Sequence, residues 1–402
     1  MRFFLIIFLF FSFNYAQNEN EIYIRLNHFN HDEWWSKYNN KGIEPKRNNI
    51  SVFYQKKISD IQFDLNVHLL DKKLFLGQTT AQVLINKNNL IKVGRYYRDF
   101  SSYLNDDLSS GSMLISQNAK PMPKIGFLSS KNLSAKKGIN FDYGISHAVF
   151  EKNNYYDSAP YLHEKFIYLN IRKSKYELSI GFVHEAMWGG SIIGLGEQPR
   201  KFKDFIKVFL SSDGELKDGQ PHANALGNHL GIWDFYFKKE INNYFLKIYY
   251  QHFFEDTSGL RFANKWDGLW GIEFINLIPK TSFLVEYLDT SNQYINPPYV
   301  ADAYYNHTEY KGGWSYKNYS LGNPFINHEE VNPLKLAHIG MKGTISKKFV
   351  YELLASRKIN DNDFIKYKVA IKKVSNHKQS ISISMINSEN DIGVEFGIIR
   401  FF

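Results

Sequence analysis

Trp, Tyr, His, Asn and Gly recur together in a few short segments, and the combination is that of sugar recognition. The segments are Val183-His-Glu-Ala-Met-Trp-Gly-Gly190, Ala225-Leu-Gly-Asn-His-Leu-Gly231, Tyr250-Gln-His-Phe-Phe-Glu-Asp-Thr-Ser-Gly259, Trp266-Asp-Gly-Leu-Trp270 and Lys311-Gly-Gly-Trp-Ser-Tyr316. Flat aromatic faces cover sugar C–H surfaces, while amides, carboxylates and cations take the hydroxyls. The carbohydrate-binding candidates are Trp188, Trp266, Trp270, Trp314, Tyr316, His184, Arg261 and Lys311. The same residues suit a self-packed lid equally well, because aromatic rings with polar handles sit comfortably at wet interfaces.

Catalytic readings find less support. His184-Glu185 begins like a zinc-protease helix, but position 188 is Trp188 where a second His is required. Gly194-Leu-Gly196 lacks the third glycine of a dinucleotide loop. Glu255, Asp256 and Asp267 could pair as glycosidase carboxylates, although a solvated loop or a hydrogen-bonded turn explains them as well. There is no Gly-x-Ser-x-Gly elbow. The expectation is a binding protein and not an enzyme, with no metal and no cofactor.

The elements that hold these loops are strands. Ile392, Val394, Phe396, Ile398 and Phe402 alternate with Gly393, Glu395, Gly397, Ile399 and Phe401, a period of two with one apolar face. A last strand ending on Phe is the form read by the machinery that inserts outer-membrane barrels, and Arg400 can snorkel to head groups. At the other end, Arg2 precedes an apolar run from Phe3 to Phe13, then Asn14-Tyr15-Ala16. That is a secretory signal peptide with cleavage expected after Ala16.

Composition agrees with a membrane barrel. No apolar stretch beyond the signal approaches the ~20 residues of a membrane helix. A mean hydropathy of -0.39 suits strands of which only alternate residues meet lipid. The 27 Tyr and 33 Phe suit aromatic girdles. With no cysteine in an exported chain, stability must come from a closed hydrogen-bonded sheet. The net charge of +9 shows no clustering of the kind that binds nucleic acid. In Phe364–Lys372, Ile365, Tyr367, Val369 and Ile371 face one way and Lys366, Lys368 and Lys372 the other. The lysines would line a wet lumen, either favouring anions or merely solvating it.

Strands counted back from the terminus total about 18, including a pair within Met113–Phe127, where Pro121 and Pro123 favour an edge, a bulge or an inserted loop. The predicted class is all-β: a transmembrane antiparallel up-and-down barrel with long extracellular loops. The predicted organisation is a signal peptide at 1–16, an N-terminal periplasmic segment at 17–50 and the barrel at 51–402. Turns such as Lys173-Ser174 and Glu240-Ile-Asn-Asn243 fall on the periplasmic side, and the long loops at 151–162, 188–228, 255–267 and 289–335 fall outside. Lys201–Leu210 could form a short helix over the mouth. Function is expected at that outer face.

Along this loop series the chain resembles the Wzi-type capsule assembly proteins in their Bacteroidetes form. The matching segments include Lys92-Val-Gly-Arg95, Leu108-Ser-Ser-Gly-Ser112, Ser116-Gln-Asn-Ala-Lys-Pro-Met-Pro-Lys124, Tyr161-Leu-His-Glu-Lys165, Leu226-Gly-Asn-His-Leu230, Phe254-Glu-Asp-Thr-Ser-Gly259, Gly313-Trp314 and Leu321-Gly-Asn-Pro324. The resemblance implies an 18-stranded outer-membrane barrel that attaches or assembles capsular or extracellular polysaccharide at the cell surface, acting as a lectin. Its expected partners are that polysaccharide, outer-membrane lipid and, during biogenesis, the barrel-insertion machinery, with no nucleic acid. The chain departs from the family at its periplasmic helical plug: only one short helical candidate is present, around His31–Tyr38, so a reduced or absent plug is expected. A porin-like channel whose basic lumen favours anions is the alternative.

Overall fold

The computed structural model describes residues 20–28, 39, 41–43, 48–70, 72–215, 224–292, 303–359, 365–376, 379–387 and 392–401. The chain opens with β1 (Glu21–His28), β2 (Asn49–Ile58), β3 (Ile61–Leu70), β4 (Lys73–Leu76), β5 (Thr79–Asn86) and β6 (Asn89–Tyr96). A long irregular segment then leads to β7 (Met122–Ser134), β8 (Ile139–Val149), β9 (Tyr156–Ser158), β10 (Tyr161–Arg172) and β11 (Tyr176–Trp188). The next loop carries β12 (Ser191–Ile192), β13 (Gly196–Glu197) and helix α1 (Phe202–Leu210). After β14 (Asn228–Ile241) and β15 (Tyr244–Phe254) come the short helix α2 (Thr257–Leu260), β16 (Gly268–Ile275) and β17 (Thr281–Asp289). The last elements are β18 (Ser315–Tyr316), β19 (Tyr319–Ser320), β20 (Lys335–Ser346), β21 (Phe349–Lys358), β22 (Lys366–Asn376), β23 (Gln379–Asn387) and β24 (Ile392–Phe401).

Each wall strand pairs antiparallel with the next, and β1 closes the ring by pairing with both β2 and β24. The ring has 18 positions. β4 and β5 share one of them, because β3 bonds first to β4 and then to β5. Closure leaves no open edge, so the wall's backbone groups are satisfied without water. The strand count expected from sequence holds, but its members differ. Glu21–His28 lies in the stretch read as periplasmic and is a wall strand, its apolar face being Ile22, Ile24 and Leu26. Met113–Phe127 supplies one strand beginning at Met122 and not a pair, because residues 97–121 turn into the lumen. The candidate helix around His31–Tyr38, the signal peptide expected at 1–16 and Phe402 lie outside the described residues.

Alternation sorts the side chains. Outward positions such as Ile125, Ile167, Ile180, Ile248, Ile272, Val285, Ile339, Ile383 and Val394 are exposed and apolar, and form a continuous lipid-type band. Outward aromatic residues gather toward both ends of the band: Tyr250 and Trp270 stack at 3.6 Å and Phe182 meets Trp233 at 5.0 Å near the long loops, while Tyr244 meets Phe274 at 6.4 Å and Phe141 meets Tyr143 at 5.7 Å near the short turns. Inward positions are polar and buried. Several of their cations are paired: Lys124 with Glu164 at 2.8 Å, Lys92 with Asp99 at 2.6 Å, Lys368 with Glu352 at 2.8 Å, and Lys247 with Glu273. Lys368 does face the lumen, as alternation predicted, but its charge is matched there.

Candidate functional site

The connections at one end of the barrel are two to five residues long, as at 59–60, 87–88, 173–175, 242–243 and 347–348. All the long ones gather at the other end. Two of them, residues 97–121 and 303–334, fill the barrel mouth.

The first enters the lumen and is fastened strand by strand. The Ser101 and Tyr103 hydroxyls donate to Asp234 of β14, which also accepts from Tyr168 of β10 at 2.6 Å. Lys247 donates to the Tyr103 carbonyl at 2.7 Å, and Asn105 donates to Glu273 at 2.9 Å. Glu286 of β17 accepts from the Ser109 hydroxyl at 2.7 Å and the Ser110 amide at 2.6 Å. His338 of β20 lies 2.6 Å from the Leu108 carbonyl. Lys342 pairs with Asp107 at 2.6 Å. Between these polar ties Phe100, Leu108, Met113, Leu114 and Ile115 are buried in the main apolar core. Buried backbone has to be paired; Lys247, Glu286 and His338 answer part of that need, while Asp234, Glu273 and Lys342 fix side chains of the segment.

The second segment seats on the first. The Trp314 indole donates to the Leu114 carbonyl at 2.8 Å, and Asn323 donates to the Gly111 carbonyl at 3.0 Å. The Ser116 amide donates to the Leu321 carbonyl at 2.7 Å. The Tyr305 hydroxyl donates to the Met113 carbonyl and accepts from the Asn323 amide. Gly313 has φ +61, and a Cβ there would strike the Tyr305 and His328 carbonyls, so only glycine fits. Neighbouring loops complete a cap. β12 pairs with both β13 and β9, and the Tyr156 hydroxyl accepts from the Gly312 amide at 3.2 Å. At the tip of the β18–β19 hairpin Lys317 and Asn318 take φ of 54 and 66, the signature of a two-residue hairpin turn. Lys317 is paired there with Glu151.

The sequence-derived candidates divide among three places. Trp314 and Tyr316 are buried within the cap, where Tyr316 accepts from Arg95 at 3.3 Å. Lys311 is exposed on the cap. Trp188 and His184 face outward near the top of β11, buried under α1: Val208 packs on Trp188, and His184 lies 2.9 Å from His229 and 3.0 Å from the Ser211 hydroxyl. Trp266, Trp270 and Arg261 stand on the outer rim, where Trp270 stacks on Tyr250 and donates to the Trp266 carbonyl at 3.3 Å. The eight residues therefore do not form one site. The helix expected over the mouth, α1, lies instead against the outer wall, since Phe205 and Phe209 meet His163 of β10.

The carboxylates once open to a catalytic reading hold loops. Asp256 caps α2 by accepting from Ser258 and Gly259 at 2.7 and 3.0 Å. Glu255 accepts from the Tyr304 amide at 2.9 Å. Asp267 accepts from the Tyr304 hydroxyl and from the Asn292 amide at 2.7 Å. Burial raises its pKa to about 6, against the lowering effect of those hydrogen bonds. Tyr155, exposed on the cap beside Asn153 and Asn154, was not singled out from sequence. Its signal was the run Asn153-Asn154-Tyr155-Tyr156 in the first long loop.

The family described as capsule assembly protein Wzi matches over residues 108–338, from the lumen segment through the cap to β20. The chain belongs to that family. The match begins and ends on Leu108 and His338, which touch inside the barrel. Among solved structures the chain is similar to Wzi of Escherichia coli, described as an outer-membrane protein involved in group 1 capsule assembly and a carbohydrate-binding β-barrel. The identity is 14%, the TM-score 0.63, and the alignment covers 96% of this chain and 85% of that one. A porin of Rh. blastica aligns at 9% identity and a TM-score of 0.40, over 96% of this chain and 99% of the porin. A search of curated proteins by sequence found no match. Family membership and the closed barrel with its apolar outer band make this an outer-membrane protein.

Proposed function

We propose that the cap faces the cell exterior and binds capsular or related extracellular polysaccharide, holding or assembling it at the surface as a lectin does. The observation that carries this reading is the cap itself. The long loops are packed into one body seated on a lumen segment, as a binding face requires and a passage does not. Family membership supports the capsule role, and the Escherichia coli barrel of the same fold is described as carbohydrate binding.

Within the cap, Tyr155 and Lys311 are exposed groups with sugar-binding chemistry, and the exposed amides of Asn153, Asn154 and Asn318 are able to take hydroxyls. Trp314 and Tyr316 act from beneath by fixing the platform. Trp266 and Trp270 belong to the aromatic belt of the wall. The anion-channel alternative is disfavoured, because lumen cations such as Lys124, Lys247 and Lys368 are paired and residues 97–121 occupy the mouth.

The test is surface polysaccharide in a deletion strain complemented with the wild-type chain or with Tyr155→Ala/Lys311→Ala, separating cell-bound from released material. Equal amounts of folded protein in the outer membrane are the control. Movement from bound to released in both the deletion and the variant is expected. An unchanged distribution in the deletion strain would sink the reading.

A further inference from the structure

Helix α1 is amphipathic in three sectors. Asp204 and Val208 are buried, and Phe205 and Phe209 are half-buried against the outer wall. Phe202, Ile206 and Leu210 are exposed at 78%, 39% and 64%. They recur every four residues and so span about 80° of the helix. Lys203 and Lys207 follow each of the first two by one residue, which places them on the next flank, about 100° farther round.

The wall contacts show which way the apolar stripe points. Val208 packs on Ala186 and Trp188, near the long-loop end of β11. Phe209, about 100° round the helix from it, lies against His163 at 5.3 Å and under the Lys165 ammonium at 4.2 Å. Lys165 pairs with His184, two residues farther from the loop end than the His163–Ala186 pair. The next outward pair is Ile167–Phe182, with Ile167 48% exposed in the lipid-facing band. Turning from Val208 to Phe209 therefore moves toward the band, and the exposed stripe continues in that direction. The lysines then lie on the side away from the barrel.

We propose that α1 is an interfacial anchor that sinks Phe202, Ile206 and Leu210 into the outer leaflet and sets Lys203 and Lys207 against lipid phosphates. The partner is a leaflet with anionic, phosphate-bearing head groups. An apolar stripe flanked by lysines at the edge of a lipid band is the arrangement such surfaces retain. The histidines beneath, His147, His163, His184 and His229, are outward-facing polar groups that the helix shields from acyl chains.

The absence of cysteine makes the test direct. Full-length Ile206→Cys and Leu210→Cys proteins, each carrying a nitroxide, are folded into phosphatidylcholine vesicles with or without phosphatidylglycerol. Collisions with oxygen and with a water-soluble nickel chelate are then measured. Ile272→Cys on the wall and Lys152→Cys on the cap are the references. Oxygen should dominate at 206 and 210 as at 272, and nickel at 152. Phosphatidylglycerol should raise the oxygen-to-nickel ratio at 206 by roughly two-fold, a gain lost in Lys203→Gln/Lys207→Gln. Nickel dominance at 206 and 210, or no response to phosphatidylglycerol, overturns the proposal. So does spin–spin broadening with both reagents excluded, which would seat a second copy on the stripe.

Discussion

The indole nitrogen of Trp314 lies 2.8 Å from the carbonyl oxygen of Leu114, two side-by-side residues 200 positions apart in the chain. Trp314 belongs to the cap and Leu114 to the segment inside the barrel, and both are fully buried. Cap and lumen segment are thus one packed body.

Removing that indole should loosen the cap without opening the wall. Trp314→Ala is expected to destabilise the cap by about 3–5 kcal/mol. Trp314→Phe is expected to cost about 1–3 kcal/mol, because it leaves the Leu114 carbonyl unpaired. Limited proteolysis within 303–334, in protein that keeps the gel mobility of a folded barrel, measures this. Equal protease resistance in all three proteins would show that the contact holds nothing.

The cap should be tighter in mild acid. Asp267 has its pKa raised by burial from 3.8 to about 6, so the folded state binds the extra proton between those values. Its contribution is whole below about pH 4 and falls away as pH rises through 6. Hydrogen exchange around Asn292 and Tyr304, corrected for intrinsic rates, should be faster at pH 7.5 than at pH 5. In Asp267→Asn that difference should vanish.

The buried pair Lys124–Glu164 holds the lumen segment to the wall, since Lys124 also donates to the Tyr97 carbonyl. Lys124→Met strands a buried carboxylate and should cost about 3–5 kcal/mol. Lys124→Met/Glu164→Gln should recover most of the loss. The temperature at which the folded gel band disappears reports both, and a double variant no better than the single would contradict the pairing.

The wall was legible because a lipid-facing strand repeats every two residues whatever surrounds it, and β24 shows this from Ile392 to Phe396. β1 carries the same pattern in Ile22, Ile24 and Leu26, yet in the sequence it stands alone between an apolar run and a polar stretch, with no neighbouring strand to strengthen it. The lumen segment was harder. Leu108, Met113 and Leu114 have no period, because an irregular chain buries whichever residues its wall contacts dictate. Trp314 looked like a sugar platform for the same reason. A Gly-rich aromatic loop has one composition whether its rings meet a ligand or a carbonyl 200 residues away. For α1 the apolar spacing gave the helix but not the surface beneath it, since Phe205 could have packed over a mouth as readily as on His163.

The rim tryptophans and the cap tyrosine should behave differently. Trp266→Ala and Trp270→Ala, on the outer rim, are expected to leave cell-bound polysaccharide unchanged. Tyr155→Ala is expected to weaken polysaccharide binding several-fold, in line with about 0.5–1.5 kcal/mol for an aromatic contact. Binding of purified polysaccharide to detergent-solubilised protein separates these cases.

Planar-bilayer recording should show no steady open conductance in the wild-type protein. Replacing 99–117 with a short Gly-Ser linker should produce one, because that segment and the loop seated on it occupy the mouth. A stable wild-type pore would contradict the packing of Leu108 and Leu114.

A capsule is a layer that flow and neighbouring cells drag upon, so its attachment points carry force. A polymer held by an ordinary loop would pull on two strand ends. Here the pull would pass through Trp314 and Asn323 into the lumen segment, and from there to Lys124, Asp234, Lys247, Glu286 and the pair His338 and Lys342, on five wall strands. Under the proposed role, tension would be spread around the circumference, and the barrel would bear it as a hoop bears a load hung from its spokes.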